Sequence, residues 1–379
     1  MLKSVRHAKV TVLDGRSFIK ASHPVLESPA CRTAVEGLER IVRGEHRLLT
    51  ICLSPTMNCP MNCAYCYAKN HPPAPELSTQ RWVELIGEAQ DLGVFSVHYS
   101  GGEPMLRDDL PELIAATDAR SNSMVMTSGL HFPRMSRRLH DAGLEIVVVS
   151  LDTFDEDAYN RRRGHPNAFG IAREAVRVAL ADGFYTALGM LPDVSMLEVD
   201  AFDDFVRRAG RLGVHEIRVS VPRPSLPLGR HRAELFTSRQ CRRLYQHQHR
   251  YNGMAALPTV TSMDFAEGPE NQGCCGGTCY AHVTASGEVT PCTMSPISFG
   301  NVTHRPLAEI YENMRRHHPY PLSHCPLPEV WRLIRDVPDD ELPVRDEKTV
   351  ARIMRKIYGQ NRRLPRLWKA LGVRTGAPT

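Results

Sequence analysis

The stretch SPTMNCPMNCAYCYAKN, residues 54–70, places three cysteines within eight positions in the spacing C-x3-C-x2-C. A structural metal site normally takes four protein ligands, whereas a catalytic site keeps one position open. Neither a fourth cysteine nor an adjacent histidine completes this set. The loop with Cys59, Cys63 and Cys66 is therefore a candidate metal centre with an open position. A structural zinc site, with His71 as a late fourth ligand, is the alternative.

Six short apolar segments, the first directly before this loop, alternate with longer amphipathic ones. Their Val, Ile and Leu content is typical of strands buried on both faces of a parallel sheet. The amphipathic segments repeat apolar residues at helical spacing and end in glycine, as helices often do. The predicted strands are 48–53, 94–100, 123–128, 144–151, 184–190 and 215–221. Because a closed barrel needs eight such units, we expect an α/β fold with an open, partial (β/α)6 barrel.

Polar and glycine-rich motifs follow the other predicted strands as the cysteines follow the first. They are SGGEP (100–104), TSG (127–129), SLD (150–152), LPDV (191–194) and VPRP (221–224). Each motif taken alone suits an ordinary turn, since Gly, Pro, Asp and Ser are common loop residues. In a parallel barrel, however, the carboxyl ends of all strands share one rim, where active sites are built. Together with the cysteines, the motifs predict a single ligand site at that rim.

The cysteine loop, CPMNCAYCY, combined with GGEP after the next predicted strand, resembles the radical S-adenosylmethionine (SAM) enzymes. The resemblance covers roughly residues 49–335. It implies that Cys59, Cys63 and Cys66 bind a four-iron, four-sulfur cluster and that SAM itself occupies the open position. It further implies reductive cleavage of SAM to a 5′-deoxyadenosyl radical, which removes a hydrogen atom from a substrate carbon. An external donor such as flavodoxin or ferredoxin would supply the electron.

The same resemblance assigns SAM contacts around the rim. Tyr65 matches the aromatic residue near the adenine, and Arg163 matches the guanidinium that pairs with the SAM carboxylate. Ser150 and Asp152 stand where the family places ribose and SAM contacts. Ser128 stands where many members have asparagine, so it departs from the usual amide. The motif that receives the SAM amino group matches Gly101, Gly102, Glu103 and Pro104.

A second group of cysteines begins in GCCGGTCYAHVTASGEVTPC, residues 273–292. This segment resembles the opening of SPASM and twitch domains, which carry auxiliary iron-sulfur clusters, and Gly287 would lie in its hairpin turn. The full seven-cysteine SPASM pattern is incomplete, so one auxiliary four-iron cluster is expected. A zinc ribbon is the alternative. The candidate ligands are Cys274, Cys275, Cys279, Cys292 and Cys325, and the spacing does not distinguish Cys274 from Cys275.

The length of 379 residues suits one large barrel domain with a smaller appendage. We expect an N-terminal extension over 1–48, the barrel over 49–257, a small cysteine-rich auxiliary-cluster domain over 258–335 and a helical basic tail over 336–379. The net charge of +5 is spread along the chain and does not indicate nucleic-acid binding. Neither a membrane-spanning run nor a signal peptide is evident, so a cytoplasmic location without membrane association is expected.

The substrate is the least constrained feature. The residues before the first predicted strand do not read as a peptide-recognition domain, so a small-molecule substrate is slightly favoured over a peptide or protein. Net oxidation by dehydrogenation or crosslinking is expected, with a redox-neutral epimerase as the alternative. A non-catalytic electron carrier is disfavoured, because it has no need of the SAM-contact loops. The remaining cysteines, Cys31, Cys52 and Cys241, are expected to be small buried hydrophobes without a role in chemistry.

Overall fold

The computed structural model describes residues 9–71, 74–225, 235–361 and 363–373. A long sheet, flanked by helices, organises this part of the chain. Its strands, together with those of a small N-terminal hairpin, are β1 (Thr11–Leu13), β2 (Arg16–Phe18), β3 (Thr50–Thr56), β4 (Ser96–Gly101), β5 (Asn122–Thr127), β6 (Ile146–Ser150), β7 (Tyr185–Met190), β8 (Glu216–Val219), β9 (Thr259–Ser262), β10 (Tyr280–Val283) and β11 (Val289–Thr290).

The nine-stranded sheet runs in the order β11-β10-β3-β4-β5-β6-β7-β8-β9. All neighbouring strands pair in parallel except β10 and β11, which form an antiparallel hairpin. The six predicted strands are confirmed as β3 to β8. The prediction of an α/β partial barrel is also confirmed, because β9 and β11 stay unpaired with each other within the described residues.

Two short strands beyond the six predicted ones extend this sheet. The strand β10, the first strand of the predicted hairpin around Gly287, pairs with β3 and places Tyr280 opposite Thr50; β9, which was not predicted, pairs with β8. The predicted domain boundary at residue 257 therefore falls before a strand that continues the barrel sheet. Both strands have only four residues, YAHV and TVTS, and carry too little apolar periodicity to indicate that they join this sheet.

Helices lie between the strands and beyond them. They are α1 (Pro29–Val42), α2 (Thr79–Asp91), α3 (Leu110–Ala115), α4 (Phe132–Asp141), α5 (Glu156–Arg163), α6 (Ala168–Ala181), α7 (Val199–Leu212), α8 (Ser238–Asn252), α9 (Met263–Ala266), α10 (Leu307–His317), α11 (Leu327–Leu333), α12 (Glu347–Gln360) and α13 (Arg366–Ala370). Local sequence motifs fix where several of these helices begin or end. Thr237 and Gln240 form a capping box at the start of α8, and Gly213 ends α7 with φ of 86°.

The two faces of the sheet pack against different parts of the chain. The main core joins the outward side chains of the strands to the helices. A smaller core on the inner face joins Phe18 of the N-terminal segment to Ile146 and Tyr185, which begin β6 and β7. The predicted tail is also packed, since Trp368 in α13 is buried and donates a hydrogen bond to the Gln272 carbonyl. The N-terminal segment thus fills the amino end of the barrel and leaves its carboxyl rim for the site.

Candidate functional site

The first cysteine loop leaves β3 at the carboxyl rim, as the sequence predicts. Its course is fixed by backbone hydrogen bonds from two other rim segments. Gly102 donates its N–H to the Thr56 carbonyl and Glu103 donates to the Asn58 carbonyl, both at 2.8 Å. The N–H of Asn62 binds the Arg163 carbonyl, also at 2.8 Å. The GGE motif and the end of α5 therefore hold the loop that carries Cys59, Cys63 and Cys66.

The two glycines of GGEP make room for this loop. A Cβ atom on Gly102 would lie 2.1 Å from the Asn58 carbonyl oxygen, and one on Gly101 would lie 2.4 Å from the Thr56 oxygen. Gly101 also has φ of 109°, a backbone conformation that side chains rarely adopt. The predicted reason for these glycines was close approach of the backbone to SAM. The geometry gives an additional reason, which is close approach of the cysteine loop.

Glu103 is fully buried and already binds several donors of the protein. Its Oε1 accepts from the Thr127 hydroxyl at 2.7 Å and from the Met105 N–H at 3.2 Å. Its Oε2 accepts from the Ser128 N–H at 2.8 Å and the Ser128 hydroxyl at 2.5 Å. Pro104 begins a short 3-10 turn directly after it. Contact of Glu103 and Ser128 with SAM stays a prediction, while their contact with each other is direct.

A buried network joins Tyr65, Asp152 and Arg163. The Asp152 carboxylate accepts from the Tyr65 hydroxyl at 2.7 Å, from Nη2 of Arg163 at 3.0 Å and from the Leu191 N–H at 2.8 Å. Nη1 of Arg163 lies 3.8 Å from Sγ of Cys63. Its Nε is buried and has no hydrogen-bond partner among the described residues. This unpaired donor beside the cysteine loop fits the predicted contact with the SAM carboxylate.

Three further residues complete the rim. Arg162 has its guanidinium 5.0 Å from the Tyr65 ring centre and donates a hydrogen bond to the Leu191 carbonyl at 2.8 Å. Tyr67 was missed; its hydroxyl accepts from the Gly101 N–H at 2.9 Å. Ser150 ends β6, and its carbonyl accepts from the Tyr159 hydroxyl at 2.5 Å. The spacing of the cysteines is the only feature that distinguishes the first cysteine loop in the sequence. That spacing does not indicate that the Tyr67 hydroxyl contacts Gly101.

The donor set of the first loop fits a thiolate-bound cluster. Burial, together with the charges of Glu103, Cys66 and Cys63, raises the pKa of the Cys59 thiol to about 12. The three thiols therefore lie within electrostatic reach of one another in a desolvated site. Such thiols give up their protons on binding a metal, because the metal charge outweighs desolvation. Soft thiolate donors of this kind are the usual ligands of iron-sulfur clusters.

The auxiliary cysteines separate into two sets. Burial, followed by Cys325 and Cys292, raises the pKa of Cys274, which places these three thiols together. Cys275 instead interacts with Cys279, which raises the pKa of Cys275 and lowers that of Cys279, and its Sγ lies 3.8 Å from the Gln272 carbonyl oxygen. The predicted turn at Gly287 is present, with φ of 89° between β10 and β11. The structure thus favours Cys274, Cys292 and Cys325 as ligands of the auxiliary cluster, because Cys325 and Cys292 lie close enough to raise the pKa of Cys274.

A charged group beside Cys274 and Cys325 was not predicted from the sequence. Arg223, in the motif after β8, binds Asp264 at 3.0 Å and lies 3.5 Å from Glu267. The thiol of Cys241 forms a hydrogen bond with Asp264, and burial raises its pKa to about 12. Asp264 follows β9, so Cys241, which the sequence predicts to be a small buried hydrophobe, lies beside a carboxylate at the carboxyl end of that strand. The sequence around Cys241 does not indicate that α8, which carries this cysteine, packs against α9.

The zinc alternatives gain no support from the surroundings of His71. Its ring packs against His282 of β10, with 5.7 Å between the ring centres. Burial lowers the pKa of His71 to about 4. Within the described ranges, no three His, Cys, Asp or Glu side chains are grouped so as to hold one metal ion, and this holds for the two cysteine groups as well as for the surroundings of His71.

Two family models match the chain. The Radical SAM superfamily model matches residues 53–206, and the model of the SPASM iron-sulfur cluster-binding domain matches 274–326. PqqA peptide cyclase of Granulibacter bethesdensis is 27% identical over 275 residues, which cover 68% of this chain and 71% of that protein. PqqA peptide cyclase of Xanthomonas euvesicatoria pv. vesicatoria is 29% identical over 283 residues, covering 70% and 74%.

Solved structures show the same fold. Streptococcus suis SuiB bound to S-adenosylmethionine matches with a TM-score of 0.60 at 16% identity, over 84% of this chain and 80% of that chain. SuiB bound to the precursor peptide SuiA matches with a TM-score of 0.58 at 16% identity, over 74% and 68%. The enzyme anSMEcpe with bound AdoMet matches with a TM-score of 0.55 at 14% identity, over 70% and 80%.

The fold, the rim and these matches define an enzyme with a partial α/β barrel that uses SAM and iron-sulfur chemistry. The Radical SAM superfamily model matches most of the barrel and the SPASM model matches the segment after it, so the chain is similar to radical SAM enzymes with a SPASM domain over these two regions. Its cofactors are accordingly a SAM-binding four-iron cluster, SAM and an auxiliary iron-sulfur cluster. The residues that hold each of them stay predictions. None of the helices in the described part of the chain is long and apolar enough to span a membrane.

Proposed function

We propose that this enzyme modifies a peptide by radical chemistry, in place of the small molecule that the sequence slightly favoured. The observation that carries the proposal is the similarity to PqqA peptide cyclases over 68% to 70% of the chain. Those relatives are named for acting on a peptide. The sequence favoured a small molecule only because its N-terminal segment does not resemble a recognition domain, and that argument is weaker than a match over more than two thirds of the chain.

The residues of the rim would position SAM. When bound, the cluster and SAM together supply the 5′-deoxyadenosyl radical that removes a hydrogen atom from the substrate. Cys59, Cys63 and Cys66 would hold the cluster. Arg163 would offer its unpaired Nε to the SAM carboxylate, while Asp152 fixes the orientation of the guanidinium through Nη2. Because the network is buried, little water would reach the reacting atoms.

Net oxidation is the reaction type that the auxiliary group of cysteines, between Cys274 and Cys325, favours. Removal of a hydrogen atom leaves an electron on the substrate carbon, and a thiolate-bound centre near the barrel could accept it. The strand β10 connects the auxiliary segment directly to β3, so the two cysteine groups belong to neighbouring strands. A dehydrogenated or crosslinked peptide is the expected product. A small external electron carrier, flavodoxin or ferredoxin, would supply the reducing electron.

The test is an anaerobic assay of reconstituted enzyme with SAM, a reductant and a synthetic peptide encoded beside its gene. We expect peptide-dependent 5′-deoxyadenosine and a product lighter by two hydrogen atoms. The triple change of Cys59, Cys63 and Cys66 to Ala should abolish both. A product whose mass is unchanged in H2O but rises by one deuterium at carbon in D2O, with that incorporation lost in Cys241→Ala, would establish an epimerase instead. Modification of small molecules but of no peptide would overturn the proposal.

A further inference from the structure

Buried polar atoms without partners line the inner face of the sheet at β8 and β9. Glu216 and Arg218 on β8 lie in register with Thr259 and Thr261 on β9. All four residues are buried, with Arg218 the most exposed at 8%. Nη1 of Arg218, Oε1 of Glu216 and both threonine hydroxyls lack a hydrogen-bond partner among the described residues. Burying a polar atom without a hydrogen-bond partner destabilises the fold, so four in one place require a physical reason.

The register shows that Arg218 lies in the same layer as a predicted SAM contact. Ser150 on β6 pairs with Gly189 on β7, which pairs with Arg218, which in turn pairs with Thr261. Side chains alternate along strands, and Ile146 and Val148 on β6 belong to the inner core. Ser150, two residues further on, therefore faces inward, and so do its partners in this layer.

Arg218 is directed into the barrel interior rather than along its wall. Burial, and then the charge of Arg218, lower the pKa of His98 to about 3, although His98 lies on β4, four strands away. The charge of Arg218 also opposes the burial that raises the pKa of Glu267, beside the auxiliary cysteines. We call the inner-face site formed by Arg218 on β8 and Thr261 on β9 the inner chamber. Arg218 thus shares a row with the predicted SAM contact Ser150 and lies within electrostatic reach of Glu267.

The charge of Arg218 is only partly compensated. Glu216 is its nearest carboxylate, with 3.6 Å between Nη1 and Oε1, which is an ion pair without a hydrogen bond. The other oxygen of Glu216 is taken by the Ala21 N–H at 2.6 Å and the Tyr185 hydroxyl at 3.2 Å. Lys20 adds a second cation nearby; desolvation lowers its pKa to about 8. Glu216 therefore faces two basic groups, and although Glu267 also lies within electrostatic reach of Arg218, no carboxylate among the described residues accepts a hydrogen bond from Nη1 of Arg218.

We propose that Arg218 binds a carboxylate of the substrate in the inner chamber, with the Thr261 hydroxyl donating a second hydrogen bond. A guanidinium with an unpaired Nη1 matches the geometry of a carboxylate, and the buried setting strengthens the contact. The proposal rests on the proposed function, because it names the part of a peptide that enters the site. An acidic side chain and a C-terminal carboxylate share this chemistry, and the experiment separates them.

The experiment measures binding, without turnover, to the anaerobic holoenzyme saturated with SAM. The probes are N-acetylglutamate N-methylamide, the matching glutamine derivative and N-acetylalanine with a free carboxylate, followed by ligand-observed NMR titration. Wild type should bind the glutamate probe at least about tenfold more tightly than the glutamine probe. Arg218→Gln should remove that preference. Arg177→Gln, a change in an exposed pair with Glu174, should retain it. Tighter binding of N-acetylalanine would identify the C-terminal carboxylate as the source.

The outcomes separate this inference from the proposed function. Equal binding of the glutamate and glutamine probes by wild type, with no binding of N-acetylalanine, would overturn the inference. Loss of SAM affinity in Arg218→Gln would assign the arginine to SAM and overturn it as well. If Arg218→Gln does not fold, Thr261→Val should weaken the carboxylate probe severalfold, and unchanged binding would contradict the proposal. Failure of the proposed function would leave the probe preference intact but yield no modified peptide.

Discussion

The carboxylate of Glu103 accepts both the backbone N–H and the hydroxyl of Ser128, at 2.8 Å and 2.5 Å. Glu103 follows β4 and Ser128 follows β5, so one buried side chain joins the ends of two neighbouring strands. Burial raises the pKa of Glu103, and the hydrogen bonds from Ser128 and Thr127 oppose that effect. The motif thus has a structural task in addition to its predicted contact with the SAM amino group.

We expect Glu103→Gln to lower the free energy of unfolding by about 2–3 kcal/mol, because an amide nitrogen cannot accept from Ser128. Ser128→Ala removes one hydroxyl and should cost less, about 1–2 kcal/mol. Anaerobic denaturant unfolding measures both values. The same Glu103→Gln protein should bind SAM about tenfold more weakly, since it also loses the charge opposite an ammonium. If Glu103→Gln and Ser128→Ala had equal stability, the hydrogen bond from the Ser128 N–H to Oε2 of Glu103 would contribute nothing to the free energy of unfolding.

The sequence could predict the rim but not the contacts that build it. Six apolar strands followed by polar motifs were enough to place Cys59, Glu103 and Asp152 at one edge of a parallel sheet. The partners of Glu103 depend on β4 lying beside β5, and that adjacency is a property of the sheet order. The inner chamber was missed for a related reason. Arg218 and Thr261 are 43 residues apart and come together only through the pairing of β8 with β9.

We expect Gly102→Ala to disrupt the first cysteine loop. The new Cβ atom would meet the backbone of Asn58 at 2.1 Å, and a backbone atom so close to a cysteine ligand cannot move without moving the loop. Reconstituted protein should lose the SAM-binding cluster and keep the auxiliary one, as measured by iron content and electron paramagnetic resonance. Gly87→Ala is the matched control, because Gly87 lies in α2 with no atom within 4 Å of the added Cβ. That change should raise stability by roughly 0.5–1 kcal/mol.

Buried histidines should make the fold sensitive to acid. Burial lowers the pKa of His318 to about 3, against an ordinary value near 6.5. Below pH 6.5 the unfolded chain therefore binds a proton that the folded chain does not, so stability falls as the pH falls. For one such group the loss between pH 7 and pH 5 is about 2 kcal/mol. Anaerobic unfolding of His318→Gln, compared at the two pH values, should show a loss smaller by that amount. Identical losses in variant and wild type would contradict the assignment.

The two adjacent cysteines of the auxiliary segment should behave differently when each is replaced by alanine. Cys274 lies with Cys292 and Cys325, whereas the thiol of Cys275 is paired with Cys279. Wild type with a four-iron centre at each cysteine group should hold about eight irons per chain after anaerobic reconstitution. Cys274→Ala should fall towards about four irons, because loss of one thiolate ligand weakens the auxiliary centre. Cys275→Ala, one position further along the same loop, should stay near the wild-type value and serves as the matched control. The reverse pattern would transfer the ligand role to Cys275, and a wild-type value near four would remove the auxiliary cluster from this chain.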